Sequence, residues 1–341
     1  MNYRISLLSI AMATIVLVSM SAVAGVSAAH ASTVGGRMYG GFGATVGLSG
    51  DIWLVAQGAA TSAGNIYYKD QSTATSWTGP IGTGTNPCIL DTGTSMDVFW
   101  VSSSGALVGT TTTDGTTWKS ITLPSTSVAA GTGPTAVSNT AGTTDVFYVD
   151  SATRHLMEDT LASPGLVVTS TDLGGKVFAT PAATYVNPIA TSGQIVVVVK
   201  GTGGVIYEKM YQMGGFSGWT KLHDGTIGNG AALVITPATS AAAGSRIYLF
   251  VAGSNGHLYS LLSTDGGLSW APFNNGLITT RNLNWLNLGG VCASAPVAIA
   301  AGPILYVGTL GGDGGLWYET GAAPYTATTN WFWSTTSIAG P

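Results

Sequence analysis

The sequence predicts an all-β fold, a six-bladed β-propeller of four-stranded antiparallel blades. One observation is a module that recurs along the chain, best preserved between Arg246 and Trp270. There Arg246-Ile-Tyr-Leu-Phe-Val-Ala reads as a strand, Gly253-Ser-Asn-Gly256 as a turn, and His257-Leu-Tyr-Ser-Leu-Leu262 as a second strand. An Asp265-Gly-Gly267 turn then leads to Trp270, which opens a further strand. The second observation is the period: one unit copied at this spacing is too small to bury its own faces and must stack on its neighbours. The third is composition, since 49 glycines, abundant Ser and Thr, and only 8% charged residues suit short strands joined by many turns.

Taken in order, the second strands of the repeats start at Asp51, Asp97, Asp145, Gln194, Arg246 and Pro303, which are 46, 48, 49, 52 and 57 residues apart. Their cores are nearly continuous apolar runs, such as Ile195 to Val199, as expected of sheets covered on both faces. Third strands follow at Asn65, Gly105, His155, Val205, His257 and Gly315, and fourth strands are marked by Trp77, Trp118, Trp219, Trp270 and Trp331. The third repeat alone lacks its Trp. First strands are read at Ala44 to Leu48, Pro87 to Leu90, Pro134 to Val137, Pro181 to Val186, Ala231 to Thr236 and Ser294 to Ala300. The one long connection, Ala271 to Val291, carries Arg281 and Trp285, and long loops on a rigid scaffold are where function tends to sit.

The N-terminus reads differently. Arg4 precedes an apolar run from Ile5 to about Val26 and an Ala29-His-Ala31 cleavage pattern, so residues 1–31 are read as a secretory signal peptide. An uncleaved membrane anchor is the competing reading. Residues 32–42 form a Gly-rich lead-in and 43–341 the propeller, with no further membrane insertion expected once the signal is removed. A formal net charge of −4 and eleven Lys and Arg without a run argue against nucleic acid as a partner. Cys88 and Cys292 sit in non-adjacent repeats and read as free buried thiols in preference to a disulfide.

Ser263-Thr-Asp265-Gly-Gly267-Leu-Ser-Trp270 resembles the Asp-box, or bacterial neuraminidase repeat, and Thr112-Thr-Asp114-Gly-Thr-Thr-Trp118 resembles it with one position missing. An Asp in such a turn accepts hydrogen bonds from its own backbone amides while the Trp packs between sheets, so the motif implies a structural role. The resemblance also implies a sialidase-like glycosidase as an alternative activity. Those enzymes clamp a carboxylate with three arginines and use a Tyr nucleophile with a Glu and an Asp. Beyond the leader only Arg37, Arg154, Arg246 and Arg281 are present, and Arg37 sits in Gly-Arg-Met-Tyr, outside the family motif.

A second resemblance is to propeller lectins, including six-bladed fucose-binding ones, which pair a Trp and a Glu with an Arg in clefts between blades. Glu158, Glu208 and Glu319 fall at what reads as one equivalent position, just after the third-strand cores. Carboxylates beside aromatic rings suit sugar hydroxyls and the apolar sugar face. The bland alternative makes them solvated strand ends. Arg246 is the nearest match to the second-strand Arg of such lectins, and Arg281 and Trp285 complete the candidate ligand-binding set.

No catalytic or metal constellation is complete: His155, His223 and His257 lack ligand spacing, and Leu173-Gly-Gly-Lys176 is too short for a phosphate loop. The expectation is therefore a secreted, non-catalytic propeller that binds carbohydrate or another extracellular ligand and uses no cofactor. A sialidase-like hydrolase and a cell-envelope scaffold or adhesion protein are the alternatives.

Overall fold

The computed structural model describes residues 38–47, 50–58, 64–74, 76–124, 126–138, 142–162, 166–186, 194–212, 214–223, 226–236, 246–271, 285–302, 304–322, 331–334 and 338. Residues 1–31, read as a signal peptide, and Arg37 and Arg281 lie outside them.

Six antiparallel sheets follow one another along the chain. Blade I comprises β1 (Met38–Val46), β2 (Ile52–Gly58), β3 (Asn65–Asp70) and β4 (Thr78–Thr83). Blade II comprises β5 (Thr85–Asp91), β6 (Met96–Val101), β7 (Leu107–Thr112) and β8 (Lys119–Ile121). Blade III comprises β9 (Thr135–Ser138), β10 (Thr143–Val149), β11 (Leu156–Ala162) and β12 (Leu166–Gly174). Blade IV has β13 (Ala182–Val186), β14 (Gln194–Lys200) and β15 (Ile206–Gln212), with β16 (Gly215–Phe216) and β17 (Thr220–His223) both paired to β15. Blade V comprises β18 (Ile227–Thr236), β19 (Arg246–Gly253), β20 (Leu258–Ser263) and β21 (Leu286–Gly289). Blade VI comprises β22 (Val297–Ala301), β23 (Ile304–Leu310), β24 (Leu316–Ala322) and β25 (Trp331–Trp333).

Each first strand touches the next around the set, β1 to β5, β9, β13, β18 and β22, and β22 returns to β1. The sheets are therefore blades around a closed ring, the six-bladed propeller the sequence predicts. Among the described residues every blade is one contiguous segment and no sheet is shared between the chain's two ends, so the ring closes by packing.

The physical reason for closure lies in the second strands. Side chains alternate across a strand, and in these strands both sets are apolar. In β19, Ile247, Leu249 and Val251 pack toward blade IV, while Tyr248, Phe250 and Ala252 pack toward blade VI. In β14, Ile195, Val197 and Val199 face blade III, and Val196 and Val198 face blade V. The core is thus six clusters, one at each blade boundary, including Phe42, Leu54 and Ala56 of blade I against Leu310 and Leu316 of blade VI.

Two boundaries differ from the sequence expectation. Strand β1 starts at Met38, inside the Gly-rich lead-in. In blade V the fourth strand is Leu286–Gly289, whereas Trp270 precedes only an isolated bridge between Leu262 and Ala271. The turn around Asp265 places Trp270 beside the third strand, and the edge of the sheet is supplied later in the chain. Both cysteines are free, Cys292 buried and Cys88 half-buried, and burial pushes the Cys88 thiol up to about 12.

Candidate functional site

The inner strands meet through small, uncharged groups. Asn86, held at φ 52°, accepts a hydrogen bond from Gly41 N at 3.1 Å and donates from Nδ2 to Thr132 O at 3.0 Å, so it ties blades I, II and III together. Gly133 N donates to Thr180 Oγ1 at 2.8 Å, and a Cβ on Gly230 would lie 3.1 Å from that of Ala295. The buried glutamates Glu158, Glu208 and Glu319 lie farther out, on the third strands, where they face the clefts between blades, while the buried Asp97 and Asp145 are on second strands.

The turn joining second and third strands fixes the register of each blade. The same backbone bond recurs as Asp150 N to His155 O, Gly201 N to Val205 O, Gly253 N to His257 O and Gly311 N to Gly315 O. Counting from it, Leu156, Ile206, Leu258 and Leu316 are equivalent, and all are buried. Glu158 and Glu208 are each two residues beyond, at one position, with Phe147 and Val198 as cross-strand partners. Glu319 is three residues beyond Leu316 and pairs with Val307. It is therefore equivalent to Asp159 and Lys209 and points to the opposite side of its blade. The sequence reading that put all three glutamates at one position is corrected here, because Trp317 takes the place of Tyr207 and shifts the apparent motif by one.

Cross-strand partners share a face. Glu158 faces the cleft between blades III and IV, Glu208 the cleft between IV and V, and Glu319 the cleft between V and VI. None is a solvated strand end: they are 7%, 3% and 2% exposed. Desolvation raises Glu158 to about 7, with the charges of Asp145 and Asp159 adding to it. Glu208 also rises to about 7 by desolvation, with the hydrogen bond from Trp270 working against the rise. Desolvation alone takes Glu319 to about 8.

In the IV/V cleft, Trp270 Nε1 donates to Glu208 Oε2 at 2.8 Å. The turn around Asp265 aims that indole. Asp265 Oδ1 accepts from Ser263 Oγ at 2.8 Å and from Ser269 N at 2.9 Å. Burial alone would raise the Asp265 carboxyl, but these bonds hold it below its ordinary value. Asp114 makes the same kind of turn in blade II, accepting from Thr116 N at 2.8 Å and Thr117 N at 2.7 Å. In the I/II cleft the corresponding contact is aromatic, Tyr68 against Trp118 with centroids 5.1 Å apart. In the III/IV cleft, Lys209 Nζ lies 4.9 Å from the centre of the Trp219 ring.

The two described arginines, Arg154 and Arg246, are not gathered with the glutamates. Arg246 opens β19 on the side shared with Tyr248, away from Glu208. It faces the V/VI cleft like Glu319, yet sits about three positions, roughly 10 Å, farther along the strand, and no ion pair joins them. Arg154 lies in the turn after β10, over the Phe178 ring at 5.9 Å. Arg154 follows the end of a second strand and Arg246 begins one, so they lie at opposite ends of the blades. Trp285, immediately before β21, packs against the IV/V core cluster. Sequence reasoning did not single out Lys209 and Tyr207, and it read Trp219 only as a strand marker. The signal that identifies all three is their alternation in and beside β15, legible once Ile206 fixes the register. Among the described residues no group of three or more His, Cys, Asp or Glu is placed to hold a metal ion.

No protein-family model matches the chain, and no curated protein matches it. Solved structures do. A fucose-recognising lectin from Aleuria aurantia, itself described as a six-bladed β-propeller, superposes with a TM-score of 0.62 at 15% identity, covering 89% of this chain and 97% of the lectin. AofleA from Arthrobotrys oligospora gives 0.66 at 11% identity over 89% of this chain and 88% of its own. The BP39L lectin from Burkholderia pseudomallei gives 0.59 at 17% identity, covering 85% and 81%. At these identities the likeness is one of fold.

Proposed function

We propose that this chain is an exported, non-catalytic carbohydrate-binding propeller whose sugar sits in the IV/V cleft against Glu208 and Trp270. The observation that carries the reading is that pair: an indole and a carboxylate from adjacent blades, joined across a cleft, on a frame shared with lectins. A carboxyl group accepts from sugar hydroxyls while an indole face covers the apolar side of a pyranose ring. The signal-like residues 1–31 support export.

The cleft departs from the lectin pattern in one respect. Beside Glu208 on this face β14 carries Val196 and Val198, with Lys200 at the strand end donating from Nζ to Gly228 O of blade V at 2.6 Å, and none of these is the second-strand Arg that such lectins carry. Recognition here rests on the carboxyl group and the ring, which favours a neutral sugar. Glycan-array binding by the chain lacking residues 1–31 tests the reading: neutral glycans should bind, and Glu208→Ala should remove that signal while the fold is retained. Binding that is unchanged in Glu208→Ala would overturn the assignment.

A further inference from the structure

Two clefts widen into cavities at the same place in the repeat, beside the turn between second and third strands. The I/II cavity is about 300 Å³ and is lined by Thr83, Trp100, Ser102, Val108 and Ser120 among others. The III/IV cavity is about 230 Å³ and is lined by Gly175, Lys176, Val199, Thr202, Tyr207 and Trp219 among others. The matching bonds Gly84 N to Gly64 O and Val177 N to Arg154 O put Lys176 where blade I has Thr83. The bonds Ser102 N to Ala106 O and Gly201 N to Val205 O put Tyr207 where blade II has Val108.

The two cavities therefore share a position and differ in chemistry. The I/II lining is neutral, with one indole. The III/IV lining has two aromatic rings, a Thr hydroxyl and one ammonium, with no Asp or Glu among its residues. Lys176 Nζ donates to Thr153 O at 2.8 Å, which fixes the ammonium and leaves two of its three donors for a ligand. Lys209, with its Nζ over the Trp219 ring, adds a second positive charge nearby. Glu158 faces this cleft from blade III but does not line the cavity, and it forms no ion pair with Lys176 or Lys209. At about 230 Å³ the cavity has room for one sugar ring.

We infer that the III/IV cavity binds a single carboxylated sugar residue of the uronic acid type, its carboxylate on Lys176 and its ring against Tyr207 and Trp219. The sugar class rests on the carbohydrate-binding reading above; the negative charge rests on this cavity alone.

The test uses the chain without residues 1–31, with ligand-observed NMR and indole fluorescence on methyl glucuronide, methyl glucoside and benzoate. Glucuronide should bind at least about tenfold more tightly than glucoside, and the exposed substitution Lys176→Met should abolish that preference with the circular dichroism unchanged. Equal affinity for the two sugars, or a preference that survives Lys176→Met, would overturn the site. Benzoate binding as tight as glucuronide would overturn the sugar assignment. Fucoside binding lost in Glu208→Ala, without any glucuronide binding, would sink this cavity and keep the IV/V reading. Glucuronide binding lost in Lys176→Met, without any fucoside binding, would do the reverse.

Discussion

Trp270 Nε1 and Glu208 Oε2 are 2.8 Å apart, although one follows the Asp265 turn of blade V and the other belongs to the third strand of blade IV. A buried carboxyl with a single indole donor is satisfied only while the two blades stay in register, so this contact is both a candidate ligand contact and a clasp.

Trp270→Phe keeps most of the ring and removes the donor. Leaving a buried acceptor unpaired should cost roughly 1–3 kcal/mol, read as a lower midpoint in urea at unchanged slope. A stability equal to that of the parent protein would mean that the hydrogen bond is not formed in solution.

The three glutamates predict an acid-favoured stability. Their ordinary value is 4.5, and in the fold Glu158 and Glu208 rise to about 7 and Glu319 to about 8. The folded state thus holds more protons than the unfolded chain between these limits. The contribution of these three groups is fully present below 4.5 and is lost as pH rises to about 8, at up to about 1.4 kcal/mol per pH unit for each group. Denaturant titrations at pH 5, 6, 7 and 8 check this slope, and Glu319→Gln should flatten it most between pH 7 and 8.

Gly84 lets blade I lie directly on Trp100. A Cβ there would sit 2.2 Å from Val101 O and 2.4 Å from Trp100 Cδ1, and the first of these is backbone that cannot swing away. Gly84→Ala should therefore lower stability by about 1–3 kcal/mol in a denaturant melt. A neutral outcome would show that the I/II boundary is looser than drawn.

Asn86 spans three blades from a left-handed backbone position. Asn86→Ala loses both side-chain bonds and strains the backbone, for a cost of about 2–4 kcal/mol. Asn86→Gly loses the bonds but relieves the strain, so its measured unfolding free energy should fall between that of Ala and that of the parent chain.

Much of the candidate site was hidden by a single residue of register. Ile206-Tyr207-Glu208 and Trp317-Tyr318-Glu319 look alike when matched on the aromatic residue before the glutamate, yet Leu316 shows that Glu319 has moved one place and hence to the other side of its sheet. Strand periodicity makes that slip decisive, because one position exchanges faces. Arg246 illustrates the same limit: its place at the start of a second strand was legible, and the side on which it emerges was not.

The chain's pattern alone determined the repeat, its six copies, the order of strands and the double-sided apolar second strands, since alternation and turn residues are local properties that survive in one dimension. Only the folded ring decided which glutamate meets which indole. Contacts such as Glu208 with Trp270 and Tyr68 with Trp118 depend on facing direction and on the neighbouring blade, and these emerge when six sheets are packed against one another.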